Sequence, residues 1–131
     1  MLQSAPIAAM LPTRDIDRAR TFYEQVLGLR GDPVSGTPGR GPEVRAVRYD
    51  CGGAICYLQE TAVDVPAEHT VATWVVADIR AEVAELRSRG VTFEVYDLGG
   101  PIDDAVHVVD IGSAAWFRDL DGNILGLFEA A

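Results

Sequence analysis

The sequence predicts an α+β domain in which one strand–helix–strand unit occurs twice. Its 131 residues are enough for one domain with its own core. Asp15-Ile16 and Asp78-Ile79 each stand between an apolar strand pattern and a helical pattern. Later in each half, a Gly-containing turn opens an apolar strand, at residues 52–55 and again at residues 122–125. Repeats of this kind determine the architecture, because neither half could cover both faces of its own sheet.

The first unit is predicted to begin with a short apolar strand at residues 7–12. Asp15 is suited to cap a helix, and Gly28 is suited to end it. The residues between them recur at helical spacing, namely Ile16, Ala19, Phe22, Tyr23, Val26 and Leu27. Residues 32–42 hold three Pro and three Gly and are predicted to be a loop. Residues 44–49 and 54–59 alternate as two strands joined by a turn at Gly52-Gly53.

A polar segment with Pro66 predicts a linker over residues 61–70 between a first module, residues 1–60, and a second, residues 71–131. The second module is predicted to start with a β-branched strand at residues 71–76. Its helix is capped by Asp78, carries Ile79, Val83 and Leu86 on one face, and ends at Gly90. Strands are then predicted at residues 91–96, 114–117 and 124–129, with a loop at 97–105 and a turn at 119–123. Residues 106–110 are consistent with either a short strand or an extended loop.

Composition and charge exclude several classes of partner. The chain has 11 basic and 20 acidic residues, so its net charge is −9. Binding to nucleic acid requires a basic surface, and anionic membranes repel an acidic protein, so we expect neither partner. No apolar stretch reaches the length of a membrane span. The first twelve residues lack the basic region of a signal peptide, which favours a cytoplasmic protein.

The two cysteines do not form a recognisable redox or zinc motif. Cys51 and Cys56 are five residues apart, and in one extended strand this odd spacing would place them on opposite faces. A disulfide between them is therefore not expected, and they do not form CxxC. Free thiols of this kind are consistent with a reducing cytoplasm.

Two segments carry a resemblance to a known family. Residues 14–29, RDIDRARTFYEQVLGL, resemble the helix signature of the vicinal oxygen chelate superfamily, which includes glyoxalase I, extradiol dioxygenases, and fosfomycin and bleomycin resistance proteins. Residues 114–129, AAWFRDLDGNILGLFE, resemble its closing hairpin, with Leu120 in place of the usual Pro. The resemblance implies two βαβββ modules that form a cupped, partly open β-barrel with helices outside. It also implies a homodimer and a binding site inside the cup. Several unrelated activities share this fold, so the fold does not identify a reaction.

The resemblance also gives the positions that hold a metal ion in metal-dependent members. In this sequence they fall at Ala8, Cys56, Val71 and Gly126. Three of these side chains have no donor atom, whereas a catalytic divalent ion needs about three protein ligands. His69 shares the strand parity of Val71 and would add only one ligand, and the direction of His107 cannot be read from the sequence. We therefore predict no metal and no cofactor, and interpret both histidines as surface or hydrogen-bonded core residues. Cys56 is interpreted as a small buried apolar residue.

Strand parity places a set of small and apolar side chains on the face that carries the ligand positions in relatives. The predicted ligand-binding residues are Met10, Cys56, Leu58, Val71, Thr73, Trp116, Gly126 and Phe128. Trp74 has the opposite parity and is predicted to pack under a helix. A phenol at the rim could come from Tyr49, Tyr57 or Tyr96, and the sequence does not choose among them.

The leading hypothesis is a metal-free protein that binds a small, mostly apolar or aromatic organic ligand. Sequestration of a drug is one version, and the acidic charge would favour a cationic compound. One alternative is a metal-independent isomerase, lyase or cyclase on the same fold. A metal-dependent lyase or dioxygenase requires the ligand positions to be assigned wrongly, and a module without any small ligand is the fourth hypothesis.

Overall fold

The computed structural model describes residues 1–35, 45–61 and 67–131. The chain divides into two compact units, Met1–Val65 and Pro66–Ala131. The first unit begins with a single 3-10 turn at Leu2–Ser4. Each unit packs a helix against a mixed sheet. Among the described residues, no helix has the length and apolar character needed to cross a membrane.

The first unit has the order of strand, helix and three strands that the family resemblance implies. β1 (Ala8–Thr13) leads to α1 (Ile16–Thr21), which continues as a π-helical turn at Phe22–Val26. β2 (Gly31–Ser35), β3 (Arg45–Cys51) and β4 (Ala54–Glu60) follow. The sheet order is β1-β4-β3-β2, with β1 parallel to β4 and the other pairs antiparallel. A carboxylate oxygen of Asp15 accepts the N–H of Arg18 at 3.1 Å, which confirms the predicted cap.

One face of this sheet forms the core of the first unit beneath α1. Leu58 pairs with Leu11 on one side and with Val47 on the other, and all three are buried. Tyr49 on the same face stacks on Tyr23 of the helix, with ring centroids 6.0 Å apart. The helix therefore covers the side chains of alternate residues in the central strands.

β2 corrects the prediction of a loop over residues 32–42. Residues 31–35 pair with β3 although they include Pro33. Proline is tolerated because β2 is the edge strand, where one side of the backbone needs no partner. The remainder of the predicted loop, and residues 62–66 of the predicted linker, lie outside the described residues.

The second unit repeats this arrangement with two added short strands. It contains β5 (Thr70–Val75), α2 (Ile79–Ser88), β6 (Phe93–Glu94), β7 (Ile102–Asp103), β8 (Val106–Val109), β9 (Gly112–Arg118) and β10 (Ile124–Ala130). The order β5-β10-β9-β8-β7 matches the first sheet, with β7 added beyond β8, while β6 pairs with β9. The strand predicted over residues 91–96 is thus only two residues long, and the predicted loop at 97–105 includes β7. In the described part of the chain, the strands form two open sheets and not one closed ring.

The N-terminus of α2 is held by two carboxylates. Asp78 accepts the N–H of Ala81 at 3.0 Å, and Glu129 of β10 accepts the N–H of Ile79 at 2.9 Å. α2 packs on β8, β9 and β10. The buried residues of this layer are Ile79, Val83, Leu86, Phe93, Val106, Ala115, Phe117, Leu125 and Leu127.

Candidate functional site

Three side chains meet over Gly126 on the face of the second sheet that points away from α2. Gly126 pairs with Trp116 of β9 and with Thr73 of β5. A Cβ atom at Gly126 would lie 2.8 Å from Thr73 Oγ1, 3.4 Å from Trp116 Cδ1 and 3.4 Å from Thr70 Cγ2. The absence of a side chain at residue 126 therefore allows an indole ring and a hydroxyl group to approach the same point.

Trp116 belongs to an aromatic cluster on this face, which we define as Tyr96, His107 and Trp116. The indole meets the His107 ring edge to face at a centroid distance of 5.0 Å, and the Tyr96 ring at 5.4 Å. His107 is 1% exposed, whereas Trp116 and Tyr96 are half-buried. The buried His107 ring thus supports two aromatic rings, those of Trp116 and Tyr96, that are partly exposed on this face.

His107 is fixed in one neutral tautomer by two hydrogen bonds. The backbone N–H of Tyr96 donates to Nε2 at 2.9 Å, so Nε2 carries no proton. Nδ1 lies 3.0 Å from the carbonyl oxygen of Ala105 and donates to it. His107 is a hydrogen-bonded core histidine, as interpreted from the sequence. His69 is exposed, and its Nδ1 lies 3.1 Å from the carbonyl oxygen of Thr70.

A β-bulge changes the predicted face of β5. Ile124 pairs with Thr70 and Leu125 pairs with Ala72, so Val71 is an extra residue without a partner. The predicted alternation from Val71 to Thr73 is interrupted at this bulge. The side chain that contacts the Gly126 position together with Thr73 is that of Thr70, which the prediction omitted. On the opposite face, Trp74 pairs with Leu127 and lies on the helix side, as predicted.

The prediction that Met10, Cys56 and Leu58 share one face is wrong. Residues that pair directly across a sheet point to the same side. Met10 pairs with Tyr57, whereas Leu58 pairs with Leu11 on the helix side, and Cys56 has the same parity as Leu58. Cys56 and Leu58 are buried beneath α1, while Met10 lies on the other face and is 55% exposed. The parallel pairing of β1 with β4 is offset by one residue from the register that the prediction assumed.

The two cysteines lie on the same face of a hairpin. The turn at Gly52-Gly53 has positive φ at both residues and separates them into neighbouring strands. Cys51 pairs with Ala54, two residues before Cys56, so the predicted opposite orientation is wrong. Both thiols are free, and burial raises the pKa of Cys56 to about 11.

The positions that hold a metal ion in metal-dependent relatives do not fit a metal centre in this chain. Ala8, Val71 and Gly126 have no donor atom, and Cys56 faces α1. A longer side chain at residue 126 would collide with Thr73. Among the residues that the structure describes, no three His, Cys, Asp or Glu side chains are grouped so that they could hold an ion.

Comparisons with known proteins were made by family model, sequence and structure. The chain matches the family model of the Glyoxalase/Bleomycin resistance protein/Dioxygenase superfamily over residues 6–127. A search of the curated proteins finds no match. TnmS3, an antibiotic-binding protein from Streptomyces sp. CB03234, is 25% identical, with a TM-score of 0.70 over 100% of this chain and 99% of that chain.

Two further solved structures share the fold at lower identity. UcmS2 is 21% identical, with a TM-score of 0.71 over 95% of this chain and 97% of that chain. A superfamily member from Sphaerobacter thermophilus DSM 20745 is 22% identical, with a TM-score of 0.70 over 98% and 99%. The predicted α+β fold of two βαβββ modules is thus confirmed.

Proposed function

Because the chain belongs to the Glyoxalase/Bleomycin resistance protein/Dioxygenase superfamily, we propose that it is one of its metal-free binding proteins. Its ligand is a small, mostly apolar and aromatic organic molecule. The binding surface is the face of the second sheet around Gly126. We use the term Gly126 face for Thr70, Thr73, Trp116, Gly126 and Phe128.

The convergence of Thr73 and Trp116 over Gly126 carries this proposal. The side chains of Thr73 and Trp116 close over the buried Gly126. Thr73 is exposed and Trp116 is half-buried, so one flat ring that lies on their outer side can contact the hydroxyl and the indole together. Phe128 is on the same face by alternation along β10 and is half-buried. Offset or edge-to-face contacts between aromatic rings contribute about 0.5–1.5 kcal/mol each beyond the area they bury.

Two further observations support a metal-free binding protein, namely the likeness to TnmS3 and the side chains at the family's metal-binding positions. TnmS3 is an antibiotic-binding protein, and sequestration of an antibiotic is the version of the function that this likeness favours. The lack of donor atoms at Ala8, Val71 and Gly126 supports binding without a metal centre. The predicted homodimer remains a prediction.

The chain's two tryptophans provide a test with an internal control. In a Trp74→Phe chain the only remaining tryptophan is Trp116, and we expect its emission to change when 1-acetylnaphthalene is added. Trp116→Ala should weaken binding about tenfold or more, as for other aromatic anchors. Trp74→Ala, on the helix side, should leave the affinity within about twofold.

Three results would contradict the proposal. One is an equal loss of affinity in both tryptophan variants, because this would indicate a general effect on the fold. The second is the absence of any binding by a panel of neutral and cationic aromatic probes. The third is recovery of a chemically altered probe, which would favour the metal-independent enzyme.

A further inference from the structure

The hydroxyl group of Tyr96 is buried and has no hydrogen-bond partner among the described residues. It shares this property with one other hydroxyl in the described part of the chain, that of Tyr49. A buried polar group without a partner destabilises the fold, so native proteins nearly always provide one from the chain, from water or from a ligand. Tyr96 lies in the aromatic cluster, whereas Tyr49 lies under α1.

The backbone of Tyr96 is anchored to a buried side chain, and its ring lies in the aromatic cluster. Its backbone N–H donates to the buried His107, which ties the segment after β6 to β8. Its ring meets Trp116 edge to face at 5.4 Å and lies 6.1 Å from the His107 ring. The hydroxyl therefore stands at the end of a ring that adjoins the indole of the Gly126 face.

Tyr96 as a whole is half-buried, although its side-chain oxygen is covered. A flat ligand on Trp116 would also lie along the exposed edge of the Tyr96 ring. A rotation of this ring about its Cα–Cβ bond that turns the covered oxygen outward would then bring the hydroxyl to the ligand. A phenol is a good hydrogen-bond donor, and its bond to an oxygen is strongest where water is excluded.

We propose that the Tyr96 hydroxyl donates a hydrogen bond to an oxygen of the ligand, and that this bond selects the ligand class. The class is an aromatic compound with an acceptor oxygen, such as a ketone, attached directly to its ring system. This inference rests on the proposed function, since it assigns a second contact to the ligand of the Gly126 face. Tyr96 is then a specificity-determining residue, and Trp116 supplies the stacking surface.

The test compares two probes of nearly equal size, 1-acetylnaphthalene and 1-ethylnaphthalene, which differ by a carbonyl oxygen. The quantity measured is the dissociation constant of the ketone divided by that of 1-ethylnaphthalene. It is determined for the parent, Tyr96→Phe and Tyr49→Phe chains, all in the Trp74→Phe background, from the change in Trp116 emission. We expect Tyr96→Phe to raise this ratio about tenfold relative to the parent chain, because only the ketone loses a hydrogen bond. Tyr49→Phe removes the other unpartnered buried hydroxyl and should leave the ratio unchanged.

Folding does not confound the comparison. Removal of a buried hydroxyl that makes no hydrogen bond does not lower stability, so the melting temperature of both variants should equal or exceed that of the parent. A ratio unchanged by Tyr96→Phe, or changed equally by Tyr49→Phe, would overturn the inference while the proposed function stands. Failure of both probes and of the cationic aromatic panel to bind would instead overturn the proposed function.

Discussion

Cys56 and Tyr49 are paired across β3 and β4, and the pKa of each side chain lies above its usual value. Burial, followed by the charge of Cys51, raises the pKa of Cys56 to about 11. Burial, followed by the negative charge of Glu24, raises the pKa of Tyr49 well above its usual range. In the unfolded chain the Cys56 thiol loses its proton near pH 8.5, whereas in the folded chain it keeps it.

Above about pH 8.5 the unfolded state therefore binds fewer protons than the folded state, and stability falls as the pH rises. We expect the melting temperature to decrease as the pH rises from about 8.5 to about 9.5, below the usual pKa of tyrosine in an unfolded chain. All 11 basic residues are arginines, so no lysine titrates in this range. The melting temperature of Cys56→Ala should decrease less steeply with pH than that of the parent. Cys51→Ala, which removes the other thiol, is the matched control. Parallel curves for the parent and Cys56→Ala would contradict the prediction.

At the scale of single residues, the sequence identified part of the candidate site. Thr73, Trp116 and Gly126 follow from alternation in β-strands and from the glycine after a turn. The choice of Tyr96 among three tyrosines could not be made, because its position depends on a hydrogen bond to His107, eleven residues away. Cys56 was assigned to the wrong face because its orientation depends on the register between β1 and β4, which periodicity alone does not determine.

The helices depend on their caps, and this gives a prediction at the scale of the element. α2 begins at Asp78, whose carboxylate accepts the N–H of Ala81 at 3.0 Å. Asp78→Ala should lower the free energy of unfolding by about 1 kcal/mol, because one N–H at the helix start loses its partner. Asp78→Asn keeps an acceptor and should retain most of the stability. Urea unfolding measures both, and an equal loss in the two variants would assign the effect to the negative charge and not to the cap.

The elements with strong local signals were those predicted correctly. α1 and α2 combine helical spacing with an aspartate cap and a glycine stop, at Gly28 and Gly90, which adopt positive φ. β2 was missed because Pro33 suggests a loop, and only the sheet order shows that the strand lies at an edge. The bulge at Val71 was also missed, because an extra residue leaves no mark on composition.

The net charge of −9 acts on ligands at the scale of the whole molecule. A negative protein attracts a cation over roughly a Debye length, which is about 30 Å at 0.01 M salt and about 10 Å at 0.1 M. We expect 1-naphthylmethylammonium to bind more weakly as NaCl rises from about 0.01 M to about 0.3 M, because the attraction is screened. 1-Naphthylacetate, a matched anion, should bind more tightly over the same range, and the neutral 1-acetylnaphthalene should change little. The affinities of the charged probes should therefore converge at high salt, as followed by Trp116 emission. An equal salt response of cation and anion would show that the acidic surface does not influence the site, and a cationic ligand would then lose its electrostatic support.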